Sequence, residues 1–384
     1  MLLGIPREIV EGERRVAIVP ETVQKLVRAG TSVIVEAGAG AGSYHDDAAY
    51  EAAGAAVARS ATDLYGRADI IAKIHRPQRT RGVDEVAMLR TGTSLIAMLW
   101  PLQHPDLARQ IAERGVTAYS MDAVPRIARA QALDVLSSMS SLAGYRAVIM
   151  AAESLPRYFP MLMTAAGTLT PARVFIIGAG VAGLQAIATA RRLGAVVEAF
   201  DTRPVVKEQV QSLGATFVEA SLGTSATEDK GGYATALSDD AQQRALALIA
   251  SRASQADVII TTALVPGKRA PVLVTEEMVK SMRPGSVIVD LAGEFGGNCA
   301  LSKPGSTTVA HAVTIHAPLN LPASMPVHAS QMYSRNVAAF LALLLDGAAI
   351  RAQEDQVVRD MCITRGGEIV HEGTRMQMEA TVGA

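Results

Sequence analysis

Cysteine is close to absent: Cys299 and Cys362 are the only two in 384 residues. Two cysteines make no disulfide framework, and no CxxC pair offers a metal site. That fits a reducing compartment. Aromatics are scarce too, with one Trp and six Phe. Neither charge is in surplus, at 36 Lys plus Arg against 37 Asp plus Glu. A chain without a basic excess or a base-stacking surface is not built to hold nucleic acid. Long apolar runs are missing as well. The most membrane-like stretch, Val337 to Leu345, ends at Asp346, well short of the roughly 20 residues a span needs. The N-terminus turns charged by Arg7, so no secretory core is expected. A soluble chain with no membrane span of its own is the expectation.

What is there is Ala, Val, Ile and Leu with 32 Gly, the composition of buried parallel strands between helices. The length implies two domains, perhaps three, at roughly 150 residues each. "LLGIP", "SVIVEAG", "ADIIAKI", "TSLIAML" and "VTAYS" read as strands, separated by helical stretches. Two of these helices, "PETVQKLVRAG" and "HPDLARQIAERG", stop at Gly30 and Gly115. "VAMLRTG" reads as another helix with a Gly stop. This βαβα order implies a parallel sheet covered by helices. Pro160 to Pro171 is a break, after which a second βαβα series begins at "ARVFIIGAG". From Ser221 to about Gln242 the pattern gives way to polar residues and glycines. A long tail helix, "SRNVAAFLALLLDG", is expected to return to the first domain. The expected fold is α/β: two Rossmann-like, doubly wound parallel-sheet domains with the second inserted into the first. The boundaries are 1–134 with 319–384, and 135–318.

"VFIIGAGVAGLQAI" places Gly178, Gly180 and Gly183 in G-x-G-x-x-G between an apolar strand and an Ala/Leu/Ile helix. That context raises a weak motif to a dinucleotide fingerprint. Gly178 permits the tight turn, Gly180 lets backbone approach a pyrophosphate, and Gly183 lets helix and strand pack. The helix start at Val181 and Ala182 supplies N–H groups to phosphate. The next strand ends at Asp201, followed by Thr202 and Arg203. An acid there accepts from a ribose 2′-OH and favours NAD over NADP, whereas Arg203 is a counter-signal that could host a 2′-phosphate. The bland alternative is that these glycines only serve packing. Gly38, Gly40 and Gly42 form a similar turn, but Ser43 stands where a third glycine belongs and Asp46 and Asp47 follow. It reads as a turn without a nucleotide.

"RIARAQALD", Arg126 to Asp134, is a polar knot before the helical stretch "VLSSMSSLAGYRAVIMAAESL". Were it α-helical, positions 126, 131 and 134 would fall within about 140° of arc. By itself it reads as a charged helix entrance, with Asp134 near a helix N-terminus.

Several segments together carry a resemblance: "GIPREIVEGERRVAIVPETV", "MDAVPRIARAQALDVLSSMSSLAGYRAV", "VFIIGAGVAGLQAIATARRLGAVVEAFDTRPVVKEQVQSLGA", "TTALVPGKRAPVLVTEEMV" and "GSVIVDLAGEFGGNC". The chain resembles the NAD(H)-binding component, domain I, of proton-translocating nicotinamide nucleotide transhydrogenase. The resemblance implies a homodimer holding NAD(H) and exchanging hydride directly with NADP(H) on a separate domain III. A membrane domain II couples this to proton movement, which places the chain in the cytoplasm, peripheral to the membrane through its partners.

The resemblance also assigns residues. Arg126 contacts the pyrophosphate or nicotinamide side of NAD(H), with Ile127, Ala128 and Arg129 beside it. Asp134 orients Arg126 or a nicotinamide ribose hydroxyl. Gln131 reaches the nicotinamide ribose of NADP(H), and Ser137 and Ser138 bond the carboxamide. Thr261, Thr262, Ala263 and Leu264 lie near the nicotinamide-side ribose. Gly231, Gly232 and Tyr233 belong to a mobile lid that closes over NAD(H). Arg126, Gln131 and Asp134 are the candidate catalytic residues.

The resemblance extends to alanine dehydrogenases, which need a carboxylate-binding Arg, a Lys and a proton-donating His. Arg15 and Lys73 stand at the resembling positions, but Trp100 replaces the His, with His75 and His104 only nearby. An indole donates no proton at neutral pH. Arg15 and Lys73 are therefore expected to be structural ion pairs. An amino-acid oxidoreductase of that type is the alternative function, and a non-catalytic NAD-binding regulator is a third.

Overall fold

The computed structural model describes residues 1–80, 82–220, 238–264, 269–346, 349–351 and 355–382. The chain divides into two units, Met1–Met139 with Ala323–Ala384, and Ser140–Pro322.

The first unit is built on an eight-stranded sheet. Its order is Glu368–Ile369, Cys362–Arg365, Thr117–Ser120, Ser94–Met98, Ile70–His75, Leu2–Ile5, Ser32–Glu36 and Ala56–Ala58. The six strands from the N-terminal region pair in parallel, whereas the two C-terminal strands pair antiparallel at one edge. Helix starts follow local chemistry. Pro20 and Glu21 open the helix Pro20–Arg28, and Asp46 and Ser60 cap the next two by accepting from the amides of Ala49 and Asp63. Gly30 and Gly115 sit at φ +91° and +67° after their helices, the left-handed conformation glycine adopts without penalty. The "VAMLRTG" helix is only a single turn, Glu85–Met88. The tail returns as the helix Pro326–Leu344, whose Phe340 ring lies 5.2 Å from that of Tyr119.

The second unit carries a seven-stranded sheet in the order Thr216–Phe217, Val196–Phe200, Arg173–Ile177, Val258–Thr261, Val287–Asp290, Val313–Ala317, Ser306–Ala310. Numbered by first appearance within this sheet, the first five run 3-2-1-4-5, the doubly wound Rossmann order. Alternation along the strands buries both faces. Val174, Ile176, Ile260 and Val289 meet helices through Ala147, Ala151, Ala186 and Ile187. Phe175, Ile177, Ile259 and Ile288 meet Ala245, Ile249 and Val279 on the other face. The Pro160–Pro171 break contains a short antiparallel hairpin, Leu162–Thr164 with Gly167–Leu169.

The helix Val135–Ser154 is long and apolar enough to cross a membrane by length and composition, a property expected of no segment. Its Ala147, Val148 and Ala151 are fully buried in the second unit's core. A Cβ at Gly144 would lie 2.0 Å from the Ala182 carbonyl oxygen, so this helix touches the helix Val181–Arg192 backbone to backbone.

That approach makes a prediction. Gly144→Ala should destabilise the protein by about 1–3 kcal/mol through overpacking. Gly66→Ala, in a helix where the added methyl meets nothing within 4 Å, should stabilise by about 0.5–1 kcal/mol. Urea unfolding of both variants checks the contrast; equal effects would remove the packing argument.

Candidate functional site

Strand register in the second unit builds the site. Ile177 pairs with both Phe200 and Thr261, and Thr261 pairs with Asp290. The residues that follow, Gly178, Asp201 and Thr262, therefore emerge at one level. They do so at the carboxyl ends of parallel strands, on either side of the strand where the chain order reverses, which is where ligands bind in such sheets.

The three glycines differ in what they permit. Gly178 is at φ +97°, and a Cβ there would meet Thr262 Oγ1 at 2.5 Å. A Cβ at Gly183 would fall 1.9 Å from the Gly178 carbonyl oxygen, so helix and turn are in backbone contact. Above Gly180 the space is open, with Arg203 Nη2 nearest at 3.9 Å. Two glycines thus close the turn, and the third leaves it accessible. The first helical hydrogen bond runs from Leu184 N to Gly180 O, so the N–H groups of Val181, Ala182 and Gly183 lie in the first turn, where helices accept anions. The residues fit a dinucleotide's phosphates.

Thr262 Oγ1 donates to the Gly178 carbonyl at 3.1 Å, fastening the neighbouring strand to the glycine turn. Ala263 is gripped on both backbone atoms by Asn298: its N–H donates to Oδ1 at 3.0 Å, and its carbonyl accepts from Nδ2 at 2.9 Å. Asn298 is set by Asp290, whose fully buried carboxylate accepts from the amides of Ala292, Asn298 and Cys299 and from the hydroxyls of Thr261 and Ser302. Asp290 and Asn298 were missed as site residues. The available signal was an acid ending the apolar strand in "SVIVDLAG". Leu264 is exposed beyond this grip.

In the first unit, "RIARAQALD" is no α-helix. Ala128–Leu133 is a 3₁₀ segment, so the 140° arc does not apply. Ala130 and Leu133 are buried while Arg126, Ile127, Ala128, Arg129 and Gln131 are exposed. Two tail residues hold it. Asp355 takes Arg129 in a two-point ion pair at 2.7 and 3.0 Å, and Asn336 Nδ2 donates to the Ala132 carbonyl at 2.7 Å. Both tethers lie more than 200 positions away in sequence, beyond any local signal. Asp134 caps the following helix, accepting from Ser137 N at 2.8 Å and from the Ser137 hydroxyl at 2.5 Å. Ser138 follows in that helix's first turn. Gly231, Gly232 and Tyr233 lie outside the described residues.

The earlier glycine turn is filled. A Cβ at Gly42 would meet the Arg14 carbonyl oxygen at 2.6 Å, and one at Gly40 the His45 carbonyl oxygen at 2.6 Å. Asp47 accepts from Gly38 N at 2.8 Å, closing the turn on itself.

Arg15 and Lys73 are enclosed in carboxylates. Lys73 is fully buried with Nζ 2.5 and 2.6 Å from the Glu85 oxygens and 3.7 Å from Glu8. Arg15 is held by Glu13 through Nε at 2.8 Å and Nη2 at 2.6 Å. Burial pushes the Glu13 carboxyl up, but the Arg15 guanidinium and the His75 ring hold it well below the usual carboxylate range. His75 lies 2.6 Å from Glu13. Burial lowers the His104 pKa, with Arg76 adding to the effect. Trp100 follows its strand at φ +51°, a conformation uncommon for a bulky residue. Its N–H and that of Leu99 donate to Asp122 at 3.2 and 2.8 Å.

Fold and rim together define a two-unit α/β protein with a Rossmann-type glycine turn. The chain matches the family models described as alanine dehydrogenase/PNT, N-terminal domain, over residues 4–143, and alanine dehydrogenase/PNT, C-terminal domain, over residues 147–372. It belongs to that family. It is 48% identical over 376 residues to the first of the polypeptides that make up NAD(P) transhydrogenase subunit alpha in Rhodospirillum rubrum, covering 97% of this chain and 98% of that one. The crystal structure of a transhydrogenase from Sinorhizobium meliloti superposes with a TM-score of 0.84 at 43% identity, covering 97% of this chain and 99% of that one. The alanine dehydrogenase of Bacillus subtilis is 31% identical over 382 residues, covering 97% and 93%.

The enclosed cation is testable. Glu85→Ala should cost about 3–5 kcal/mol, because it strips a buried ammonium of its main partner. Urea unfolding reads this, and a loss under about 1 kcal/mol would mean the pair carries no structural weight.

Proposed function

We propose that this chain is the NAD(H)-binding subunit of a proton-translocating transhydrogenase. It holds NAD(H) at the glycine turn and exchanges hydride directly with NADP(H) on a partner domain, while a membrane partner couples the exchange to proton movement. It acts as a homodimer, cytoplasmic and peripheral to the membrane through those partners.

A dinucleotide turn is common to both principal readings of this family, so it does not choose between them. The observation that chooses is the state of Arg15 and Lys73. An amino-acid dehydrogenase presents such cations to a substrate carboxylate, and here Glu13 and Glu85 occupy them. Trp100 supplies no proton at the position that would need one. That chemistry lacks its acid and its anion site.

The bound nicotinamide ring supplies the hydride. Transfer between two nicotinamides leaves no proton for a side chain to take, so no general acid or base is required. The protein has to bring the rings to near-attack separation, roughly 3–3.5 Å, and keep water out. In this reading Val181, Ala182 and Gly183 amides hold phosphate, and Asp201 with Thr202 and Arg203 holds the adenosine end. Thr262, Ala263 and Leu264 stand on the nicotinamide side, where Asn298 fixes the backbone. Arg126, with Ile127, Ala128 and Arg129, orients the same end of the cofactor. Asp134, with Ser137 and Ser138, anchors the end of that loop. Gln131, exposed between the Arg129 and Ala132 tethers, is its outward member and meets the partner's NADP(H). Gly232 and Tyr233 serve the lid.

The test is reconstitution with an NADP(H)-binding domain. Gln131→Ala should slow hydride transfer about tenfold to a hundredfold, the scale of a misplaced reactant, while NADH affinity stays within about twofold. A large affinity loss would reassign Gln131. Turnover of L-alanine with NAD at ordinary enzyme rates would favour the dehydrogenase reading instead.

A further inference from the structure

Asp201 is already fully engaged. Its Oδ2 accepts from the Ala179 amide inside the glycine turn at 2.7 Å. Its Oδ1 accepts from Arg203 N at 2.9 Å and Nε at 3.0 Å, and Oδ2 also accepts from Nη2 at 2.9 Å. Carboxylate and guanidinium are both largely sheltered, at 6% and 15% side-chain exposure. The same Nη2 would lie 3.9 Å from a Cβ on Gly180, so the guanidinium lies beside the accessible glycine. A guanidinium fork fits phosphate as readily as carboxylate.

We propose that Arg203 is a masked phosphate receptor that sets cofactor choice, held closed by Asp201. It rests on the reading that this turn binds a dinucleotide. Asp201 then excludes a 2′-phosphorylated cofactor twice over: its charge repels the phosphate, and its two-point grip withholds the cation that would receive it. The two effects are separable. If repulsion alone operates, neutralising Asp201 improves binding whether or not Arg203 is present. If masking operates, the improvement requires Arg203.

The measurement is equilibrium binding of NADH and NADPH to the full chain, with 2′,5′-ADP and ADP as competitors that isolate the adenosine end. Four proteins are compared: wild type, Asp201→Asn, Arg203→Ala and the double variant. The Asn oxygen can still accept from Ala179 N–H and keep the turn closed, and Asp201→Ser repeats the test with a smaller side chain. Asp201→Asn should tighten NADPH and 2′,5′-ADP by about tenfold or more, the scale of one charge-assisted pair. The double variant should lose most of that gain, and Arg203→Ala alone should show none. Equal gains in the single and double Asp201 variants overturn the proposal in favour of plain repulsion, as does no gain in either Asp201→Asn or Asp201→Ser. A wild-type chain that binds neither dinucleotide overturns the reading of the turn itself, and the proposal with it.

Discussion

The contact on which the second unit depends is one of backbone with backbone. The helix Val181–Arg192 reaches the strand Arg173–Ile177 so closely that the Gly183 Cα faces the Gly178 carbonyl with no room for a methyl. Only with that helix seated does its first turn lie at the carboxyl end of the strand, with N–H groups facing the open side of Gly180. The same approach is repeated one layer out, where Gly144 meets the Ala182 carbonyl. Missing side chains at three positions thus set the geometry, and Thr262 locks it by donating to the Gly178 carbonyl.

The two units show how one topology diverges in use. Both have a parallel sheet with a glycine-rich turn, and in both an aspartate accepts from an amide of that turn, Gly38 through Asp47 and Ala179 through Asp201. In the first unit the space over the turn is filled by Arg14 and His45 backbone. In the second it is open. Fold similarity carries no function from one to the other, because function follows the space over the turn. The buried cations tell a parallel story: Arg15 and Lys73 are the residue types a carboxylate substrate requires, but their partners are already built in.

Much of the site was legible in the sequence because its determinants are local. A strand, three glycines at fixed spacing and a helix occupy one short run, and the acid ending the next strand belongs to the same unit. What escaped was set by partners distant in sequence. Asn298 clamps Ala263, Asp290 clamps Asn298, and Asn336 and Asp355 hold the "RIARAQALD" segment from the far end of the chain. The 3₁₀ form of that segment follows from burying Ala130 and Leu133, which no propensity encodes.

Hydrophobic periodicity and turn chemistry act over a few residues and can be read in a line. The two α/β series, the glycine turn, the acid beside it and the family resemblance are all of that kind, and the chain read end to end was enough for them. Folding in three dimensions was needed to establish that Arg203 is gripped by Asp201, that Lys73 is closed by Glu85, and that the earlier glycine turn is filled. Each is a question of which groups share a small volume, and that is settled by strand order and packing rather than by spacing along the chain.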